Sequence, residues 1–120
     1  MKKILIVDDE GFFIEPIKLF LERNGFEILV ANDGMSGLQL ARKERPDLII
    51  LDLMLPKIDG FQVCRLLKFD ERFRNIPIII VSAKDTDKDK MLGRQSGADV
   101  YLTKPLVPQL LVEKVKSLLM

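Results

Sequence analysis

Five short apolar runs punctuate the chain, Ile4 to Val7, Ile28 to Ala31, Leu48 to Leu51, Ile78 to Val81 and Val100 to Leu102, each bounded by polar or turn residues. They predict five β-strands. Between them, apolar residues recur at helical spacing, as in Ile17, Phe20 and Leu21; Leu38 and Ala41; Val63, Leu66 and Leu67; and Leu110, Leu111, Val115 and Leu118. The order is therefore strand then helix, five times over. Continuously apolar strands are expected where helices cover both faces of a parallel sheet, so the pattern predicts a doubly wound α/β domain. Asn24 and Gly25 close the first helix, Pro46 precedes the third strand and Pro77 enters the fourth. No linker, repeat or low-complexity stretch interrupts the pattern, and the last helix is predicted to run to Met120.

Pro16 breaks the local rule, because an interior proline removes a helical donor and crowds the carbonyl four residues earlier. Regular helix is predicted to begin near Pro16 or to be distorted there, with Gly11 to Glu15 as an irregular first turn.

The 120 residues, 48% of them hydrophobic, suit one domain spanning residues 1 to 120 and leave no room for a second. A net charge of +1, from 19 basic and 18 acidic side chains, gives no reason to expect the general attraction that drives nucleic-acid binding and leaves room only for a local basic patch. The Lys88, Lys90 and Arg94 group interleaves with Asp85, Asp87 and Asp89, the pattern of a solvated helical face. Gly11, Lys57 and Gly93 read as ordinary surface or turn residues, and Cys64, among Phe61, Val63, Leu66 and Leu67, as a buried reduced thiol. No apolar run reaches the ~18 residues of a membrane span, and the first ten residues turn acidic where a signal peptide stays apolar. A soluble, cytoplasmic protein is expected.

In an open parallel sheet, ligands bind beyond the carboxyl ends of the strands. The first strand ends in Asp8, Asp9 and Glu10, the third in Asp52, the fourth in Ser82, and the fifth runs into Thr103 and Lys104. Crowded carboxylates need a positive charge, and a hard divalent cation or Lys104 can supply it. Together with the Ser82 hydroxyl, such a set suits stabilisation of a transferring phosphoryl group. A solvated turn or a helix N-cap is the plainer alternative for the acids at the end of the first strand.

The stretches ILIVDDE at 4–10, DLIILDLMLPKIDG at 47–60, IPIIIVSA at 76–83 and GADVYLTKPL at 97–106 resemble the receiver domain of two-component response regulators. The resemblance covers essentially the whole chain. It implies a flavodoxin-like, five-stranded parallel sheet of order 2-1-3-4-5 with five helices. It also implies that Asp52 is the phosphoacceptor and that Mg2+, with Mn2+ as a substitute, is held by Asp9, Asp52 and the backbone carbonyl of Met54, Asp8 standing behind them. Ser82 and Lys104 match the positions that contact the phosphoryl group, Tyr101 matches the aromatic whose rotamer follows activation, and Pro105 matches a proline after a cis bond. The implied donor is a histidine kinase or histidine phosphotransfer protein. With no histidine in the chain, the donor is another protein or a small phosphodonor. The implied output surface is the fourth helix, fifth strand and fifth helix, acting on a partner, on an output domain, or through a phosphorylation-dependent dimer. No direct nucleic-acid or membrane contact by this domain is expected, and a stand-alone receiver and one excised from a longer regulator both remain open.

Two departures bear on this. Pro16 alters the approach to Asp9, and Met54 and Lys84 carry no carboxylate or amide to orient water, which predicts slow self-dephosphorylation. Rival functions are an aspartyl-nucleophile phosphatase, disfavoured because Met54 stands where a second acid is needed, and a scaffold with a vestigial site. A nucleotide-binding module is weaker still, because the turn after the first strand is DDEG rather than a glycine-rich cradle.

Overall fold

The structure, a computed structural model, describes residues 1–119. Strands β1 (Lys3–Val7), β2 (Glu27–Ala31), β3 (Leu48–Leu51), β4 (Ile78–Ser82) and β5 (Val100–Thr103) alternate with helices α1 (Gly11–Arg23), α2 (Gly34–Glu44), α3 (Gly60–Lys68), α4 (Asp87–Gln95) and α5 (Pro108–Leu119). The strands form one parallel sheet in the order β2-β1-β3-β4-β5. The flavodoxin-like, doubly wound α/β class expected from the sequence is therefore the one observed. The predicted end of the last helix at Met120 lies outside the described residues.

Alternation along each strand sends side chains to two cores. Leu5, Val7, Ile49, Leu51, Ile78 and Ile80 pack with Leu38, Val63 and Leu67 under α2 and α3. Ile4, Ile6, Leu48, Ile50, Ile79 and Val81 pack with Ile17, Leu21, Leu111 and Val115 under α1 and α5. Burying each such aliphatic side chain contributes about 1.5–3 kcal/mol, which explains why the strand interiors are apolar on both faces.

Three helical expectations need correction. Phe20, Leu66 and Leu110, predicted on the buried faces, are 38%, 47% and 39% exposed, whereas Leu21, Leu67 and Leu111 beside them are fully buried. Consecutive residues lie about 100° apart around a helix, and Phe20, Leu66 and Leu110 fall off the stripe that faces the sheet.

The predicted start of α1 is also corrected. Regular helix begins at Gly11 and continues through Pro16. The bond that proline forfeits would have ended on the Phe12 carbonyl, and both residues are exposed, leaving that carbonyl accessible to water. On the opposite face, Ile14, Ile17 and Leu21 are buried and hold the helix to the sheet. At the far end Asn24 caps the helix and Gly25 takes φ +88°, as the Asn-Gly pair predicts.

Candidate functional site

Ladder hydrogen bonds place the site residues at the carboxyl ends of the strands. Asp8 N–H donates to the Ala31 carbonyl (3.0 Å), Asp52 N–H to Val7 (3.0 Å) and Lys104 N–H to Ser82 (2.8 Å). Each side chain therefore leaves from a backbone locked into the sheet. Asp8, Asp52 and Ser82 are 1%, 4% and 0% exposed.

Lys104 Nζ joins these ends. It lies 2.6 Å from Glu10 Oε1, 2.8 Å from Asp8 Oδ2 and 3.5 Å from Asp52 Oδ2. Asp8 Oδ1 accepts from the Glu10 N–H at 2.9 Å, and Asp52 Oδ1 from the Met54 N–H at 3.3 Å. The Lys104–Pro105 peptide bond is cis. Glu10 stands at the N-cap of α1 without capping it, because its carboxylate is on Lys104 instead. The N-cap alternative for this acid is thereby excluded.

Burial pushes the Asp8 carboxyl above its ordinary range, and the Lys104 and Glu10 N–H bonds only partly offset it. For Lys104, burial works against the ammonium, but the Asp8 and Glu10 hydrogen bonds and the nearby Asp52 charge outweigh it and carry the group up. The two groups rise for different reasons: burial raises the Asp8 carboxyl, whereas Lys104 gains from the acids around it.

Glu10 is the residue that sequence reasoning missed. Asp8, Glu10 and Asp52 present carboxylate oxygens within 4.8 Å of one another, while Asp9, expected as a ligand, is exposed and outside this group. The chain bends at Asp9, where Asp8 Oδ1 takes the Glu10 N–H, and this turn brings the Asp8 and Glu10 carboxylates together on Lys104. No local pattern in the sequence marks it. With oxygen donors only, and three acids against one ammonium, the pocket fits a hard divalent cation.

Ser82 and Tyr101 are linked through the loop after β4. The Lys84 N–H donates to Ser82 Oγ (3.3 Å), and the Tyr101 hydroxyl donates to the Lys84 carbonyl (2.6 Å). A movement of that loop toward Asp52 therefore changes the Tyr101 bond as well. Gly93, passed over in the sequence, is buried in α4 beneath the ring, where a Cβ would come within 2.7 Å of Tyr101 Cδ2. The interleaved charges of α4 are the solvated face expected, with Thr86 and Asp89 forming a capping box at its start.

Burial, followed by the Asp89, Asp52 and Asp85 charges, pushes the Tyr101 phenol up to about 12 from its ordinary 10.0. Its contribution to stability is therefore complete below the ordinary value and is lost as pH rises through about 12. It is the only tyrosine and the chain has no tryptophan, so phenolate absorbance reports it directly. At pH 11 about one-tenth should be ionised, against about nine-tenths for a free phenol. An ordinary titration curve would contradict this packing.

A family model described as the response regulator receiver domain matches residues 4–116. The chain is 45% identical over 118 residues to the alkaline phosphatase synthesis transcriptional regulatory protein PhoP of Bacillus subtilis, covering 98% of this chain and 48% of that protein. It is 40% identical over 119 residues to protein PilH of Pseudomonas aeruginosa, covering 99% of this chain and 98% of that one. Thus it spans about half the length of the transcriptional regulator and nearly all of PilH. Among solved structures, the signal receiver domain of a signal transduction histidine kinase from Syntrophus aciditrophicus aligns with a TM-score of 0.92 at 34% identity, covering 99% of this chain and 90% of that one. The chemotaxis response regulator CheY4 of Vibrio cholerae aligns with a TM-score of 0.91 at 29% identity, covering 98% of each chain.

Proposed function

The chain belongs to the response regulator receiver family, and on that premise we propose that it is a switch phosphorylated on Asp52 by an external phosphohistidine donor. The observation that carries this is the carboxylate of Asp52 at the end of β3, faced by the Lys104 ammonium at 3.5 Å. Oxygen of Asp52 attacks phosphorus, the donor's P–N bond breaks with its electron pair left on the imidazole, and an acyl phosphate forms. Lys104 offsets the charge on the transferring oxygens, and the Ser82 hydroxyl donates to one of them. A strand end tied to Val7 by a ladder bond holds Asp52 in line. Asp52, Asp9 and the Met54 carbonyl would hold Mg2+, Asp9 reaching in from its exposed position after β1 and the buried Asp8 standing behind them. Bound there, the ion would neutralise the carboxylates and the incoming phosphoryl oxygens.

The new charge draws Ser82 and its loop toward Asp52, and the Lys84 carbonyl carries the change to Tyr101 and so to the α4, β5 and α5 surface. Such a domain catalyses only its own phosphorylation and dephosphorylation. Met54 and Lys84 are exposed and carry no carboxylate or amide to orient water, which supports slow hydrolysis. The donor's approach is marked by an apolar cavity of about 560 Å³ between α1 and the start of α5, lined by Phe12, Pro16, Leu106 and Pro108, that opens at Lys104.

Intact mass after incubation with acetyl phosphate and Mg2+ tests the reading; one phosphoryl group per chain is expected, and none from acetyl phosphate or a histidine donor would leave the vestigial scaffold. Mg2+ alone should also raise the melting temperature, with a stabilisation of about 2.7 kcal/mol when the ion is at a hundred times its Kd. Calorimetry with and without chelator measures this, and an unchanged transition would remove the cation from the site.

A further inference from the structure

We propose that Glu10 and Phe13 form a resting seat for Lys104, holding its ammonium on the α1 side of the pocket until a phosphoryl group on Asp52 draws it across. The inference rests on Asp52 being the phosphoacceptor. Lys104 Nζ donates to Glu10 and Asp8 at 2.6 and 2.8 Å, while Asp52, at 3.5 Å, receives no hydrogen bond from it. The Phe13 ring centroid lies 4.2 Å from Nζ, so the ring face covers a further side of the ammonium. Both seat residues come from the beginning of α1, opposite the β3 end that carries Asp52.

Glu10 is 39% exposed, so its ion pair is not needed to neutralise a buried acid. Asp8 is buried, and the Glu10 N–H holds it in place from the other side. Asp8 therefore anchors the lysine whatever the state of the site, whereas Glu10 and Phe13 compete with Asp52 for it. Transfer to Asp52 must break the Glu10 pair and lift the ammonium off the ring. The seat then slows phosphorylation and makes Lys104 report the state of the site.

Proton NMR of Lys104 tests the seat without any phosphodonor. In the resting wild type, the Lys104 ε-methylene protons should be shifted upfield by the Phe13 ring. Phe13→Leu should abolish the shift and Phe13→Tyr should keep it. Adding trifluoroberyllate with Mg2+, as a stand-in for the phosphoryl group on Asp52, should return the wild-type protons to ordinary values. Glu10→Gln, with its charge removed and an acceptor retained, should take up phosphoryl from acetyl phosphate about 3- to 5-fold faster, the scale of a partly exposed ion pair. Its Mg2+ affinity by calorimetry should fall by less than tenfold, because the variant loses one charge near the ion but no ligand atom.

An ordinary resting shift, or one that survives trifluoroberyllate, overturns the seat. An unchanged or slower Glu10→Gln rate, or Mg2+ binding weakened tenfold, overturns the role of Glu10 and assigns it to the metal instead. Absence of phosphoryl uptake by the wild type would fail the phosphoacceptor reading, and the donor-free resting shift separates that failure from failure of the seat.

Discussion

Asp52→Asn is expected to abolish phosphoryl uptake from acetyl phosphate completely while leaving the fold intact. Asparagine keeps the shape of the side chain and its packing, but a neutral amide oxygen is no nucleophile toward phosphorus at neutral pH. Lys104, Asp8 and Glu10 keep their mutual contacts at 2.8 and 2.6 Å, so nothing in the sheet need move. The same change should raise stability in the absence of Mg2+ by about 1 kcal/mol, because a site built to bind charge is strained without it. Three carboxylates that share one ammonium become two. Intact mass and a denaturant titration read the two effects separately. A mass gain that persists in the variant would place the phosphoryl group on another residue, and a fall in stability would show that the acids are not in electrostatic conflict.

The second large effect is expected at Gly60, which is remote from the chemistry in sequence but touches it in space. Gly60 is the first residue of α3, and its N–H donates to the Leu53 carbonyl at 3.1 Å. A Cβ there would collide with the carbonyl group of Asp52 and come within 2.8 Å of Leu53 Cα. Two effects of opposite sign therefore meet in Gly60→Ala. Helix propensity favours alanine by about 1 kcal/mol, whereas overpacking against a fixed backbone costs about 1–3 kcal/mol or more. The atoms in the way are backbone of the central strand's extension, which cannot rotate aside. Gly60→Ala, with the overpacking cost at its upper end and the propensity gain subtracted, should therefore lose about 2 kcal/mol in denaturant titration. Displacing the Asp52 backbone should also slow phosphoryl uptake about 100-fold, the scale for a nucleophile misplaced by about 1 Å. A neutral or stabilising result would mean that α3 moves freely relative to the phosphoacceptor strand.

The strand runs and helix periods read from the residues correspond to the observed elements, because an apolar run between turn residues has few other ways to satisfy its backbone. The identity of the polar residues at the strand ends was equally legible. Asp8, Asp52 and Lys104 follow their strands directly, Ser82 ends its own, and all four share one edge of the sheet. Pro16 was misjudged because its donor loss was weighed without the three buried residues on the opposite face of α1.

What the chain could not declare locally is who touches whom. Lys104 meets acids 94 and 96 positions earlier, and the residue it selects is Glu10 rather than Asp9, a choice made by the bend at Asp9. Gly60 and Gly93 look like any glycine until Asp52 and Tyr101 are packed against them. Periodicity records which face each residue prefers, and so by itself it determined the layers, the strand ends and the chemical types gathered there. Distances between those ends arise only when five strands are in register, so the division of one ammonium among three carboxylates was decided by the tertiary structure alone.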